Sequence, residues 1–540
     1  MSSKEVKAEL KSAREAIKNK EFKEALKHCK AVLKLEKNNY NAWVFIGVAA
    51  TELQQPDQAQ TAYRKATELE PEQLLAWQGL ANLYEKSDQA AFKAELPKIY
   101  QKLITLYETS DKAKCFEVSK KLVEVYQSEK NYLQVARVWR RLIQVREAEE
   151  GVEDVELLEL WKEMTRLLQD TVEEQDNETQ QHLISAYERA LQLTTDVPDE
   201  AHRSLLQDYI KCLSKVPHEA AKLKEVCDAA LSRYPTHSYP LEALSEHYIR
   251  AGDCSEEAVR CFSRLSELDP NNSHAHFGLG IKACQDKKYE DAIKSISLGL
   301  KRMRSSIIGW YNLALAQLKM HKYSDSATAS SQGLKSSVGT SDDWTHKLQR
   351  LKLEALVRTE REQDADEALQ ILTQISDAKN DPVLLALKGR AHLQKGHTEE
   401  AFQVSAELLS SHPGSVEGLA LKGLAHVVKE QHKQAEESFL EALSGSPDNG
   451  ELFFLLGRLF WNMGEEMRRD RSKAHTHLLK AAKLDPYLAS VFRFLGHYYR
   501  EIAKDQGRAR GCYKRAFELD PCDAEAGAAT VDLSMEQGDM

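Results

Sequence analysis

His475 and His477 stand two residues apart in "KAHTHLLK" and are the nearest approach in this chain to a metal-binding pair. Residues two apart on a helix point to different faces, so each is expected to be solvated or built into a core. The nine cysteines (Cys29, Cys115, Cys212, Cys227, Cys254, Cys261, Cys284, Cys512, Cys522) are odd in number, scattered and never spaced C-x-x-C. They read as small core hydrophobes in a reducing compartment, not as a zinc or disulfide framework. Three basic clusters stand out: Arg140, Arg141 and Arg146; Lys301, Arg302 and Arg304; and Arg468, Arg469 and Arg471. A charged helix face accounts for each. The last sits in an insertion and is the first choice for a partner or RNA contact, a choice weakened by its neighbours Glu465, Glu466 and Asp470. The aromatic run Phe453, Phe454, Phe460 and Trp461 could mark a peptide groove, although packing between helices is the plainer reading. The chain has no phosphate-binding G-x-x-x-x-G-K-[ST], no G-x-G-x-x-G after a strand, no G-x-S-x-G and no H-E-x-x-H. No enzyme is expected, and no catalytic, metal or cofactor-binding residue is assigned.

The composition supports helices. Hydrophobic residues make up 42% and charged residues 29% of 540, with 24 Gly and 13 Pro. That is too apolar for disorder and too poor in turn formers for a β protein. A net charge of −10 disfavours nucleic-acid binding over the whole surface and leaves local basic patches open. "MSSKEVKAEL" has no apolar stretch, and "WVFIGVAA" and "LFFLLG" are too short to span a bilayer. A soluble intracellular protein is therefore expected, and the N-x-[ST] matches at Asn177 and Asn271 are discounted.

The elements that must hold these residues follow from a repeat. From Gly47 the intervals to Ala59, Tyr63, Ala66 and Pro71 are 12, 4, 3 and 5 residues, and Gly423, Ala435, Phe439, Ala442 and Pro447 reproduce them. Gly389, Ala401, Ser405, Leu408 and Pro413 do so again, 34 residues upstream. Gly280, Ala292, Ile296 and Gly299 keep the spacing, as do Ala314, Ser326, Ser330 and Gly333 behind Trp310. Trp43, Ile46, Gly47 and Ala50 form one helical stripe, and Ala59, Ala62, Tyr63 and Ala66 a second. The small residues are expected to let the two helices approach, with Trp43 and Tyr63 filling the space where they diverge. Pro71 breaks the chain before the next pair. Trp77 and Gly457 fall in register with these positions.

The pattern resembles the tetratricopeptide repeat, a helix-turn-helix unit, with "WVFIG" in its Trp-x-x-Leu-Gly place. An all-α, right-handed α-α superhelix of about fourteen such units is expected. Residues 1–109 read as the first three repeats, 110–272 as degenerate helical hairpins, and 273–336 as two repeats. An irregular repeat with a long loop, "SSVGTSDDW", fills 337–381, and four more repeats fill 382–523. Residues 524–540 read as a lone first helix, either a cap or the start of another repeat in a longer array. Insertions are expected near "EKSDQAAFKAELP" and "NMGEEMRRDRSKA". The concave face, lined by first helices, is the expected binding surface.

Longer runs carry a closer resemblance. "KNNYNAWVFIGVAATELQQPDQAQTAYRKATELEPEQLLAWQGLANLYEK", "LGIKACQDKKYEDAI", "GWYNLALAQLKMHK" and "LGHYYREIAKDQGRARGCYKRAFELD" look like the N-terminal part of the large tetratricopeptide subunit of the vertebrate superkiller (Ski) complex. The resemblance implies a non-catalytic scaffold without cofactors in a cytoplasmic assembly, with a nuclear pool as a second expectation. Its implied partners are a DExH-box RNA helicase and a WD-repeat propeller, with the RNA exosome and the ribosome reached indirectly. The implied process is 3′-to-5′ mRNA decay, including decay on stalled ribosomes, with this subunit organising and gating the helicase. The alternatives are a generic interaction adaptor, such as a chaperone clamp, and a direct RNA-binding solenoid. A clamp for a terminal carboxylate is disfavoured by Leu10, Arg14 and Phe45 at the inner positions. A glycosyltransferase is disfavoured by the isolation of Asn82 and Asn312.

Overall fold

The computed structural model describes residues 2–87, 89–149, 151–169, 176–194, 199–336, 342–359, 361–375, 381–463 and 471–536. They form two compact units, Met1–Pro235 and Thr236–Met540. In the first, the helices are α1 (Ser2–Lys18), α2 (Phe22–Leu35), α3 (Tyr40–Glu52), α4 (Pro56–Leu69), α5 (Leu74–Glu85), the four-residue α6 (Ala90–Lys93), α7 (Leu96–Tyr107) and α8 (Lys112–Ser128). There follow α9 (Tyr132–Glu147), α10 (Asp154–Leu168), α11 (Asn177–Gln192), α12 (Asp199–Ser214) and α13 (Ala220–Arg233). The second unit begins with α14 (Tyr239–Ala251), α15 (Glu256–Leu268), α16 (Ser273–Gln285), α17 (Tyr289–Arg302), α18 (Ile307–Lys319), α19 (Tyr323–Ser336), α20 (Asp342–Leu356) and α21 (Glu362–Gln374). It continues with α22 (Pro382–Gln394), α23 (Thr398–Ser411), α24 (Val416–Val428), α25 (His432–Gly445), α26 (Gly450–Asn462), α27 (Arg471–Leu484), α28 (Ala489–Glu501), α29 (Gln506–Leu519) and α30 (Ala524–Glu536). Within each unit consecutive helices pack as hairpins that stack on their neighbours, giving an all-α solenoid of tetratricopeptide type.

The turn inside many of the hairpins has one chemistry. Lys20, Gln54, Lys130, Lys287, His321, Glu430 and Lys504 all take left-handed backbone conformations, with φ between 56° and 63°. Gly252 and Gly396 serve the same place with φ of 66° and 74°. The amide after the left-handed residue reaches back to close the preceding helix: Gln55 N–H donates to Ala50 O at 2.9 Å, Lys288 to Ala283 at 2.8 Å and Gln431 to His426 at 2.9 Å. This closure satisfies carbonyls that the helix end would otherwise leave open. First helices are instead fixed at their starts. Asn39, Asn272, Ser306, Asp381, Ser415 and Asn449 each accept a first-turn amide with the side chain, which contributes about 1 kcal/mol per cap.

The repeated small residues make room for rings. A β-carbon at Gly47 would lie 2.5 Å from the Tyr63 ring, and one at Gly423 would lie 2.5 Å from Phe439. At Gly280 it would meet Ile296 at 2.5 Å, and at Gly457 it would meet Leu478 at 2.8 Å. Gly389 faces Leu421 of the next first helix, because its own second helix carries only Ser405 at the ring position. Ala59, Ala66, Ala292, Ala401, Ala435 and Phe439 are fully buried, and Tyr63 nearly so. The tryptophans do something else. The indole N–H of Trp43 donates to Lys37 O at 3.1 Å, that of Trp77 to Pro71 O at 2.8 Å and that of Trp310 to Arg304 O at 2.7 Å. All three rings are only half-buried. They tie each first helix to the turn before it, the turn that Pro71 and Pro447 occupy at its exposed edge.

The described parts of residues 110 to 270 form successive helices, with larger side chains in the core. Trp139, Tyr187 and Tyr209 are buried, and the two tyrosine rings stack with centroids 5.3 Å apart. In the first insertion α6 turns Phe92 onto Tyr84, centroids 4.6 Å apart. The loop at 337–341, and Arg468 and Arg469 in the second insertion, lie outside the described residues. No described helix is long and apolar enough to cross a membrane.

Candidate concave binding site

First helices α20, α22, α24 and α26 of the second unit converge on a cavity of about 380 Å³. The repeat sets its lining. Arg390, Leu424 and Arg458 recur at 34-residue intervals, and so do Leu393, Val427 and Trp461 one turn further along. Leu393, Leu424, Val427, Phe454, Leu455 and Leu488 give an apolar wall. Charge is concentrated at one end.

Glu451, in the first turn of α26, bridges two arginines from earlier repeats. Arg358 Nη1 donates to its Oε2 at 3.0 Å and Arg390 Nη1 to its Oε1 at 2.8 Å. Arg358 also pairs with Glu354 at 3.3 Å. All four side chains are less than a third exposed. Burial opposes the charge on Glu451, but Arg390 and Arg358 together overcome it and hold the carboxyl well below the usual carboxylate range. Burial likewise works against the Arg358 cation, and Glu451, Tyr323 and Glu354 outweigh it. Next to them Tyr323 is pushed up by burial. Arg358 Nε and Gln394 Oε1 are buried with no hydrogen-bond partner among the described residues. Such groups cost about 1–3 kcal/mol each when unsatisfied.

A second set of contacts closes the same arc. His321, the left-handed turn residue between α18 and α19, has Nε2 2.7 Å from Asp485 Oδ2 and Nδ1 2.6 Å from the Tyr323 hydroxyl. Tyr487 sets its ring edge-on to Tyr289, centroids 5.5 Å apart, and its hydroxyl donates to Lys287 O at 3.4 Å. Residues from turns 164 and 200 positions apart in sequence thus touch.

From the cavity onward the first helices carry aromatic and cationic side chains together. Arg458 lies over the Phe454 ring at 5.5 Å, Arg493 over Phe494 at 5.7 Å and Arg471 over Trp461 at 4.4 Å. Arg471 also pairs with Glu501 at 3.0 Å, so the one described member of its basic cluster is held by its own array. His475 stacks on Tyr498 with centroids 4.0 Å apart. His477 instead sits beside Phe453 and Phe460, its Nδ1 2.8 Å from Lys473 O. Of the aromatic run, Phe453 and Phe460 pack in the core, whereas Phe454 lines the cavity. The other basic clusters differ. Arg141 pairs with Glu108 and Arg146 with Glu149 and Glu156, while Arg140 reaches His182. Asn312 is buried and bonds its own helix at Ile308 O.

Arg358, Arg390, Glu451, His321 and Asp485 were not legible as a site. Arg390 and Arg458 share a repeat register, and that was the one available signal. The meeting of Glu451 with Arg358, 93 residues away, depends on the summed rotation of intervening hairpins.

The tetratricopeptide repeat family matches residues 16–83 and again 243–302. Tetratricopeptide repeat protein 37 of Xenopus laevis is 52% identical over 545 aligned residues, covering 100% of this chain and 35% of that protein. Superkiller complex protein 3 of Homo sapiens is likewise 52% identical, with the same coverage. Superkiller protein 3 of Schizosaccharomyces pombe is 38% identical over 117 residues, 22% of this chain. The chain thus spans about a third of the length of the vertebrate relatives it matches.

Proposed function

This chain belongs with the tetratricopeptide subunits called Superkiller complex protein 3, and from that premise we propose that it is part of a non-catalytic scaffold of a cytoplasmic Ski complex. In this reading it helps organise and gate a DExH-box RNA helicase, in company with a WD-repeat subunit, for delivery of RNA to the exosome and 3′-to-5′ decay, including decay on stalled ribosomes. The identity along the whole chain carries the reading. The concave cavity supports it, because an apolar wall with an arginine end suits a partner's side chains. Repeat positions such as Gly47, Ala59 and Tyr63 act by packing.

The direct RNA-binding alternative, centred on Arg468, Arg469 and Arg471, is weakened by the engagement of Arg471 with Glu501 and Trp461. Affinity purification from cytosol tests the scaffold reading, with this chain and a version extended to the relatives' length as baits. Recovery of a DExH helicase and a WD-repeat protein with the long form supports it. Recovery of heat-shock chaperones alone with both sinks it.

A further inference from the structure

Between Lys98 and Arg146 the sequence carries eleven Lys and Arg against five Asp and Glu, in a chain whose net charge is −10. This basic island surrounds a groove of about 470 Å³, lying between α7 and α9 and floored by α8. One wall is a helical stripe of α7: Lys98, Gln101, Lys102 and Thr105. The other is a helical stripe of α9: Gln134, Arg137, Val138 and Arg141. Ile104, Leu122, Leu142 and Val145 supply apolar surface beneath, and Cys115, a thiol raised by burial, lies at the bottom.

We propose that this groove docks an amphipathic helix of a partner protein, one whose apolar ridge is flanked by carboxylates. Two facing helical stripes with an apolar floor are the complement of such a ridge. The rim supplies the charge match. Lys102 pairs with Glu72, Arg137 with Glu178 and Arg141 with Glu108, but the three basic side chains remain 27%, 49% and 50% exposed. The Arg137–Glu178 pair, exposed on both sides, contributes about 0–1 kcal/mol, so an incoming carboxylate exchanges with it at small cost. Lys98 stands on the exposed edge with only a longer-range attraction to Glu95 among the described residues. A nucleic acid fits less well. No aromatic side chain lines the groove to stack a base, and its apolar floor would strip water from phosphates without return.

The test uses the full chain and a fluorescein-labelled peptide of Leu and Glu with leucines at helical spacing, read by anisotropy. Saturable binding is expected, with affinity falling about tenfold or more in Lys98→Glu/Arg137→Glu and in Thr105→Trp, which fills the groove. Arg458→Glu, on the concave site of the other unit, should leave it unchanged. Circular dichroism and the thermal midpoint confirm that each variant is folded. A peptide of the same composition without helical leucine spacing should bind about tenfold more weakly. Equal binding of that peptide, indifference to the charge reversal, or tighter binding of oligouridine with the same sensitivity to Lys98 and Arg137 overturns the proposal. Because Arg458 separates the two sites, failure here leaves the scaffold reading standing.

Discussion

Glu451 is the residue on which the concave site turns. Replacing it with Gln keeps its size but leaves Arg390 without its counter-charge and Arg358 with Glu354 alone, and loss of one partner of a buried ion pair costs about 3–5 kcal/mol. Urea denaturation of Glu451→Gln should show a loss of that order, and a change below 1 kcal/mol would show the triad to be marginal. The pH dependence has a definite sign. The folded carboxyl lies below its ordinary value of 4.5, so the unfolded chain binds the proton more tightly. The stabilisation is therefore complete above that value and fades as pH falls towards the folded one. Stability of the wild type measured from neutral to acid pH should decline more steeply than that of Glu451→Gln. Gly423 gives a second test at this scale. A methyl 2.5 Å from the fixed, fully buried Phe439 ring has nowhere to go, and Gly423→Ala should cost about 1–3 kcal/mol by thermal denaturation.

Hairpin turns behave as a class. Seven non-glycine residues accept the left-handed conformation so that the first helix can end and the second begin at once. Each forgoes about 1–2 kcal/mol, partly recovered because a side chain restricts the unfolded chain more than glycine does. Gln54→Gly, at an exposed position, should therefore stabilise by up to about 1 kcal/mol, seen as a raised unfolding midpoint; a lowered midpoint would assign Gln54 a contact of its own. The hairpins themselves were legible because Gly47, Ala59, Tyr63 and Ala66 recur at fixed intervals and helix periodicity needs no distant information. The function of Trp43 was not. The spacing shows an aromatic, but only the turn geometry shows its N–H bound to Lys37 O. The partner of Gly389 was likewise hidden until Leu421 was seen to replace a missing ring. Of the concave site, the sequence displayed the 34-residue register of Arg390 and Arg458 and nothing of what faces them.

Across the molecule, the compact units Met1–Pro235 and Thr236–Met540 carry different candidate surfaces, a basic groove in one and a cavity lined by first helices in the other. A stacked array unfolds in parts rather than as one cooperative whole. Chemical denaturation followed by intrinsic fluorescence should resolve more than one transition, with Glu451→Gln shifting only that of the second unit. A single transition that moves as a whole would refute this independence. The pairing of His321 with Asp485 and of Tyr289 with Tyr487 adds a kinetic consequence. Solenoids generally fold quickly because every contact is close in sequence, yet here a loop of more than 160 residues must close before these side chains meet. During synthesis the hairpins from α18 onward can form as they leave the ribosome; the arginines await Glu451 in open water until α26 has emerged, and the arc shuts only when the turn after α27 follows.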